Sequence, residues 1–406
     1  MSKDTKARIG IFSLTLLSMA SLGITPSIAL IMAAFPESSA TDVQQLTAIP
    51  NFVAIIMALL FSVGANKIPR KVVALAGPVF VALGGLLPYF FGNSLAFLLV
   101  CSGIVGAGVG CVSNITQVLI TELVSPEKRQ ATMAQNVIFV NIGAIIMTTC
   151  GGMLAAGGWK NNYLIYLVAI PVLLLAFVFI PFYRPEASEA EKPAADAAAP
   201  AGPKPSLGVK PFIVAGIILT VNCVYSAFAN NASILIINGG LGDSSAVGIV
   251  NSVSTIGGMV AGVILGKILE NRSIQRISLA LGLIVMGAGM VTMAFAPSVV
   301  VMCVAAFLIG FALSVGFAQC PFVISLSVAP MLIPTAISMY SIGSSLGGTI
   351  SPTLINGIAG SLLSGSGADC CLVAAGLAFI VAAALLVSGF QGRIIDNAAL
   401  PQGAQE

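Results

Sequence analysis

An all-helical membrane fold, with twelve transmembrane helices in two pseudo-symmetric six-helix bundles, is predicted by three observations. First, 58% of the 406 residues are hydrophobic and 8% are charged, and the mean hydropathy is +1.05. A water-soluble domain of that composition would carry contiguous apolar patches and aggregate, whereas a chain whose solvent is the bilayer would not. Second, the apolar residues gather into twelve runs, most of them close to the roughly 20 residues that span a hydrocarbon core. Third, the sixth and seventh runs are separated by "YRPEASEAEKPAADAAAPAGPKPSLGVK", which is rich in Ala, Pro and charge and too polar to bury a core. A transmembrane barrel would instead alternate apolar and polar residues over segments of about 10.

The first run, 9–35, follows Lys3, Lys6 and Arg8. It is too long for the apolar region of a signal peptide and reads as the first span. Runs at 43–65, 72–92, 95–121, 131–156 and 163–182 complete an N-terminal bundle, 1–182. After the linker, 183–210, runs at 211–237, 244–266, 274–296, 299–328, 335–363 and 371–390 make a C-terminal bundle, 211–390, with a tail at 391–406. The 43 glycines suit the close helix contacts of membrane bundles. Pro26, Pro50 and Pro352 interrupt spans, and each removes a backbone donor and favours a kink.

Orientation follows from Lys and Arg, which concentrate on the cytoplasmic side. With the N-terminus placed inside, every Lys and Arg except Lys160 falls on the inner side. Both termini, the linker and the tail are then cytoplasmic. The linker's composition is compatible with a bacterial inner membrane.

The two bundles carry traces of a repeat. An offset of 200 aligns 47–68 with 247–268, with seven of 22 positions identical, including Asn51/Asn251 and Lys67/Lys267. Parallel six-helix halves of this kind are a transporter architecture.

Three loops carry a family resemblance. "SVGANKIPRK", Ser62 to Lys71, is similar to the loop G-x-L-A-D-R-x-G-R-K between the second and third spans of the major facilitator superfamily. Here Asn66 stands where that family has an acid, and Pro69 where it has Gly. "SPEKRQATM", 125–133, resembles the loop between the fourth and fifth spans, and "GGWKNNYLIYL", 157–167, the entry to the sixth. The resemblance covers nearly the whole chain. It implies a secondary transporter that works by alternating access, and a gate at Asn66, Lys67, Arg70 and Lys71 that closes the cytoplasmic side. With Asn66 uncharged, that gate is expected to be held less tightly than in members with the acid. Two departures weaken a drug/proton antiport reading. Ser102 stands where many proton-coupled members have an Arg, and Met147-Thr148 where drug/proton antiporters have Gly-Pro.

Charge placement constrains the chemistry further. All 17 basic and 14 acidic residues map to loops, tails, the linker or span ends, and there is no histidine. Glu122, at the inner end of the fourth span, comes closest to the membrane. Intramembrane ionisable groups normally mark proton relays and counter-ions, because they are costly unless used. Their absence points to uniport or exchange of a small organic solute, neutral or weakly charged and amphipathic. A proton-coupled symporter or a multidrug or metabolite exporter is the alternative, and a channel or receptor on the same scaffold a distant one. The eight cysteines form no CxxC pair, and without histidine they make no metal or redox motif. No cofactor, no metal and no enzymatic activity is expected. The expected partners are a small-molecule substrate and the bilayer, not nucleic acid, and the chain reads as a monomer.

Uncharged polar side chains must therefore do the recognition. Asn222, Tyr225, Ser226, Asn230 and Ser233 recur at three- and four-residue spacings, on one stripe of the seventh span. Asn114 and Gln117 in the fourth span, Asn141 in the fifth, Gln319 in the tenth, and Tyr340 and Ser344 in the eleventh are further candidates. In the resembled fold, spans 1, 4, 7 and 10 line the central cavity. The competing reading is that such residues hydrogen-bond between helices as structural glue, and for Asn51 and Asn251 that reading is preferred.

Overall fold

The computed structural model describes residues 3–64, 68–182, 208–328 and 332–398. Among the described residues the regular structure is helical. The first half holds α1 (Thr5–Ala34), α2 (Ala40–Gly64), α3 (Arg70–Phe91), α4 (Leu95–Leu123), α5 (Pro126–Ala155) and α6 (Asn161–Phe179). The second holds α7 (Lys210–Asn238), α8 (Ser244–Ile268), α9 (Ser278–Ala294), α10 (Val299–Ser327), α11 (Ile333–Leu362) and α12 (Gly367–Ser388). A short amphipathic helix, α13 (Phe390–Ala398), ends the described chain. Ten of these helices are long and apolar enough to cross a membrane, and α9 is a shorter apolar helix.

Two helices are not regular throughout. In α1 a 3-10 segment, Ala20–Ser27, separates two α-helical pieces and contains Pro26, whose ring blocks continuation of the upstream turn. In α6, residues Asn161–Val168 are also 3-10. Asn162 is fully buried there and donates Nδ2 to Gly23 O at 2.9 Å and to Ser27 Oγ at 3.0 Å. It thereby satisfies backbone and side-chain acceptors that the irregular part of α1 leaves free. Where α12 starts, Ser366 and Asp369 form a reciprocal capping box, which pairs two otherwise orphaned amides.

Each half has its own buried core. One cluster draws its residues from Ala7 to Ile180, with Ile234 added from the second half. The other runs from Val214 to Ile394. Within the first half, glycines let helices approach closely. A Cβ on Gly106 of α4 would lie 2.5 Å from Pro50 Cα of α2, and one on Gly85 of α3 would lie 2.1 Å from the Tyr166 ring.

The halves meet along two interfaces related by the expected pseudo-symmetry, α5 with α8 and α2 with α11. The first is close-packed. A Cβ on Gly248 would sit 2.5 Å from Thr148 O, and one on Gly152 would sit 2.4 Å from Ser244 O. Thr148 and Thr149 hydroxyls also lie 2.8 and 2.6 Å from Ser252 Oγ. The second interface is polar. Asn356 donates to Thr41 Oγ1 and Gln44 Oε1, and Gln45 donates to Thr353 Oγ1. Among the described residues, the hydrogen bonds that cross between the halves lie at the end away from the two termini. The halves are joined at that end.

Candidate functional site

A cavity of about 290 Å³ lies between the halves, directly beneath their joined end. It is lined by α1, α2 and α5 from the first half and by α7, α8, α10 and α11 from the second. Met19 and Phe317 line it while remaining 39% and 43% exposed, so the cavity is open to solvent. Its roof consists of cross-half hydrogen bonds. Thr47 Oγ1 donates to Asn230 Oδ1 at 2.7 Å, Asn251 Nδ2 donates to Thr25 Oγ1 at 3.1 Å, and the Ala29 amide donates to Ser233 Oγ at 3.1 Å. Ser233 in turn donates to Pro26 O at 3.1 Å. The carbonyls and amides freed by the irregular α1 thus become the anchoring points for α7.

No Asp, Glu, Lys or Arg lines the cavity among the described residues. The polar lining is amide and hydroxyl. One of these groups, Asn230 Nδ2, is buried and unpaired among the described residues. A buried polar group without a partner costs about 1–3 kcal/mol, so a solute or water that pairs with this amide removes that penalty.

Six sequence candidates line this cavity together: Asn141, Asn222, Tyr225, Ser226, Asn230 and Ser344. The helical stripe on α7 accounts for four of them. Ser233, one turn further along the same stripe, is consumed in the roof. The other four candidates lie outside the lining. Gln319 is buried and accepts hydrogen bonds from Ser278 Oγ and Gln391 Nε2, which tie α9, α10 and α13 together. Tyr340 is 8% exposed and packs edge-on against Phe317. Asn114 donates back to Gly110 O of its own helix at 2.7 Å, and Gln117 is exposed. No described residue of α4 lines this cavity. The small residues of α4 are used against α2, where a Cβ on Gly110 would lie 3.0 Å from Ala54 Cα.

Several lining residues were not singled out in the sequence, among them Thr47, Ser254, Thr255, Ser314 and Ser345. A signal existed on α8, where Asn251, Ser254, Thr255 and Gly258 repeat the three- and four-residue spacing of α7. Asn51 lines the cavity, while Asn251 is in the roof.

The sequence model of the Major Facilitator Superfamily matches residues 11–273. The chain belongs to that superfamily. Its members are secondary transporters and generally not enzymes, and with these apolar helices the protein is a multi-pass membrane protein. A search of curated protein sequences finds no match. Among solved structures, the fold is similar to a bacterial homologue of the human lysosomal transporter Spinster in an inward-facing, unoccupied conformation. That likeness has a TM-score of 0.74 and 14% identity, covering 99% of this chain and 100% of the other. A POT family transporter in complex with 5-aminolevulinic acid matches with a TM-score of 0.73 and 12% identity over 96% of each chain. An autoinhibited POT family peptide transporter matches with a TM-score of 0.69 and 12% identity over 99% of each.

The superfamily loop at 62–71 divides in the structure. Asn66 and Lys67 lie outside the described residues. Lys71 places Nζ 4.7 Å from the Phe177 ring centroid, a cation–π contact within the first half. Arg70 stands at a span end, as the sequence placed it, but it is buried. It opens α3 as a residue only 5% exposed. Its Nη2 donates to Glu122 Oε1 at 2.7 Å and its Nε to Glu122 Oε2 at 3.1 Å. The fork-shaped guanidinium matches the carboxylate in two places. This pairing lets α3 begin inside the bundle with its cation neutralised, and it fastens α3 to the end of α4.

Proposed function

We propose that this transporter carries a small organic solute, neutral or weakly charged and amphipathic, by alternating access as a uniporter or exchanger. The observation that carries the reading is the cavity between the halves, lined by amides, hydroxyls and apolar groups and by no ionisable side chain. A fully charged solute would enter such a site without a counter-ion, and an unpaired charge away from water is expensive to hold. The cavity volume of about 290 Å³ falls at the low end of small-molecule sites. The residues assigned to solute binding are Asn222, Tyr225, Ser226, Asn230, Asn141 and Ser344.

The moving parts are the six-helix units 1–182 and 211–390, joined by the linker 183–210. The distribution of Lys and Arg supports cytoplasmic termini; the joined end then faces outward, which fits an arrangement open to the inside. A bacterial inner membrane fits the composition. Proton coupling is the second reading, and it rests on Glu122, the acid nearest the spans, whose side chain is 28% exposed. The test is counterflow in liposomes with and without a proton gradient, after a ligand screen by thermal stabilisation. Saturable counterflow, indifferent to the gradient for a solute without titratable groups, supports the proposal. Obligatory gradient dependence that is lost in Glu122→Gln replaces it with the proton-coupled reading.

A further inference from the structure

A second cavity, of about 300 Å³, lies at the terminal end of the second half, where α13 folds back beside the start of α9 and the end of α12. Gly389 makes the reversal possible. It caps α12 with φ of +56°, a left-handed conformation open to glycine at little steric cost. The following helix is fastened rather than loose. Gln391 is buried, donates Nε2 to Gln275 O and Ser278 Oγ at 2.8 Å each, and accepts the Leu279 amide at 3.0 Å. Ile394 and Ile395 are buried beneath it.

The cavity has two chemically distinct sides. Ile277 and Leu386 form an apolar wall and stay 40% and 43% exposed. Arg276 and Arg393 form a basic rim. Asp396 is the acid of this rim, and it pairs with both Arg272 and Arg276. Arg393 makes no ion pair with a described residue. One cation is thus left over, facing a cavity whose other wall belongs to the membrane-facing surface. The site sits where α9 and α12 leave the apolar layer, which is the depth of lipid headgroups.

We propose that this cavity binds an anionic phospholipid, with its phosphate on Arg393 and Arg276 and an acyl chain along Ile277 and Leu386. A free phosphate would use the rim but gain nothing from the wall. A zwitterionic lipid would gain from the wall but bring a cation to an already basic rim. The site is independent of the solute cavity between the halves.

The test uses the full-length protein purified in detergent, with lipid retention read by native mass spectrometry and thermal stability read in parallel. The probes are phosphatidylglycerol, phosphatidylcholine with the same chains, and inorganic phosphate. Phosphatidylglycerol is expected to be retained and to stabilise saturably, more than either of the others. Because a basic residue near the surface contributes about a fivefold change in anionic-lipid affinity, Arg393→Gln should weaken phosphatidylglycerol retention by about that factor. Arg272→Gln, whose residue is outside the lining, should leave it within twofold. Equal retention of phosphatidylcholine, equal stabilisation by phosphate alone, or unchanged affinity in Arg393→Gln overturns the proposal. An equal loss in Arg272→Gln also overturns it, by showing diffuse surface charge in place of a site.

Discussion

Thr47 of α2 donates its hydroxyl to Asn230 of α7 at 2.7 Å, and this one hydrogen bond joins the two halves while orienting a side chain that lines the cavity. The Asn230 carbonyl oxygen is spent on the joint, which leaves its amide nitrogen buried and unpaired. Opening the halves at this end would break the bond and turn both Asn230 groups toward new partners. The roof of the cavity and the recognition of its contents therefore share a residue.

Replacing Thr47 with Val keeps the shape and removes the donor. Interhelical hydrogen bonds in membranes contribute about 0.6 kcal/mol on average and up to about 1.7, so the joined-end conformation should lose roughly threefold in population or more. The readout is labelling of Ala229→Cys, a cavity residue now 6% exposed, by a membrane-impermeant thiol reagent applied from the joined side. Labelling should quicken in Thr47→Val. An unchanged rate would mean that the bond does not bias the equilibrium.

The α5–α8 interface offers a steric counterpart. In Gly248→Ala the new methyl would meet Thr148 O at 2.5 Å, far inside contact distance, so the present arrangement should be disfavoured without loss of any polar group. The same labelling assay should show a larger gain than Thr47→Val. Gly262→Ala, on the same helix with open space around it, is the control and should label like the parent.

Solute recognition and scaffold should separate by mutation. Asn222→Ala removes a lining amide and should weaken solute binding by about tenfold, equivalent to ~1.4 kcal/mol, with little change in Tm. Gln319→Leu lies outside the cavity and removes an acceptor shared by Ser278 Oγ and Gln391 Nε2, both of which keep Gln275 O as a partner. An intramolecular hydrogen bond contributes about 0.5–1.5 kcal/mol, so that variant should lose a modest amount of thermal stability while keeping its solute Kd within twofold. Paired Tm and ligand titrations on the two variants decide this.

The Arg70–Glu122 pair should behave as a buried ion pair. Glu122→Gln leaves a guanidinium that is 6% exposed beside a neutral group, and removing one partner of a buried pair costs about 3–5 kcal/mol. The partial exposure of Glu122, 28%, places the expected loss toward the lower bound. Arg70→Met combined with Glu122→Leu should recover much of the stability, because no lone charge remains. If the double variant melts no higher than Glu122→Gln, the pair is contributing more than charge neutralisation.

Much of the architecture was legible from periodicity and composition. Twelve apolar runs, a polar linker and the basic loops are local properties, and a helix in lipid must satisfy its backbone within itself. The break in α1 was readable from Pro26 for the same reason. The α7 stripe was readable because helical spacing puts Asn222, Tyr225, Ser226 and Asn230 on one face whatever that face meets.

Which face meets solute was decided by tertiary packing. Asn114 and Gln117 have the same spacing logic as the α7 residues, yet α4 is drawn against α2 by Gly106 and Gly110, where the absence of a side chain lets the backbones touch. Gln319 looked like a recognition group and became a tie between helices, because its partners Ser278 and Gln391 are 41 and 72 residues away in sequence. Arg70 was read from the sequence as a basic residue of the 62–71 loop, and its burial could not be read there, because Glu122 is brought to it from another helix. The sequence alone determined that this chain is a bundle of membrane helices with uncharged spans. Only the three-dimensional arrangement decided which polar groups are paired and which are left to bind, because pairing depends on contacts between residues far apart in the chain.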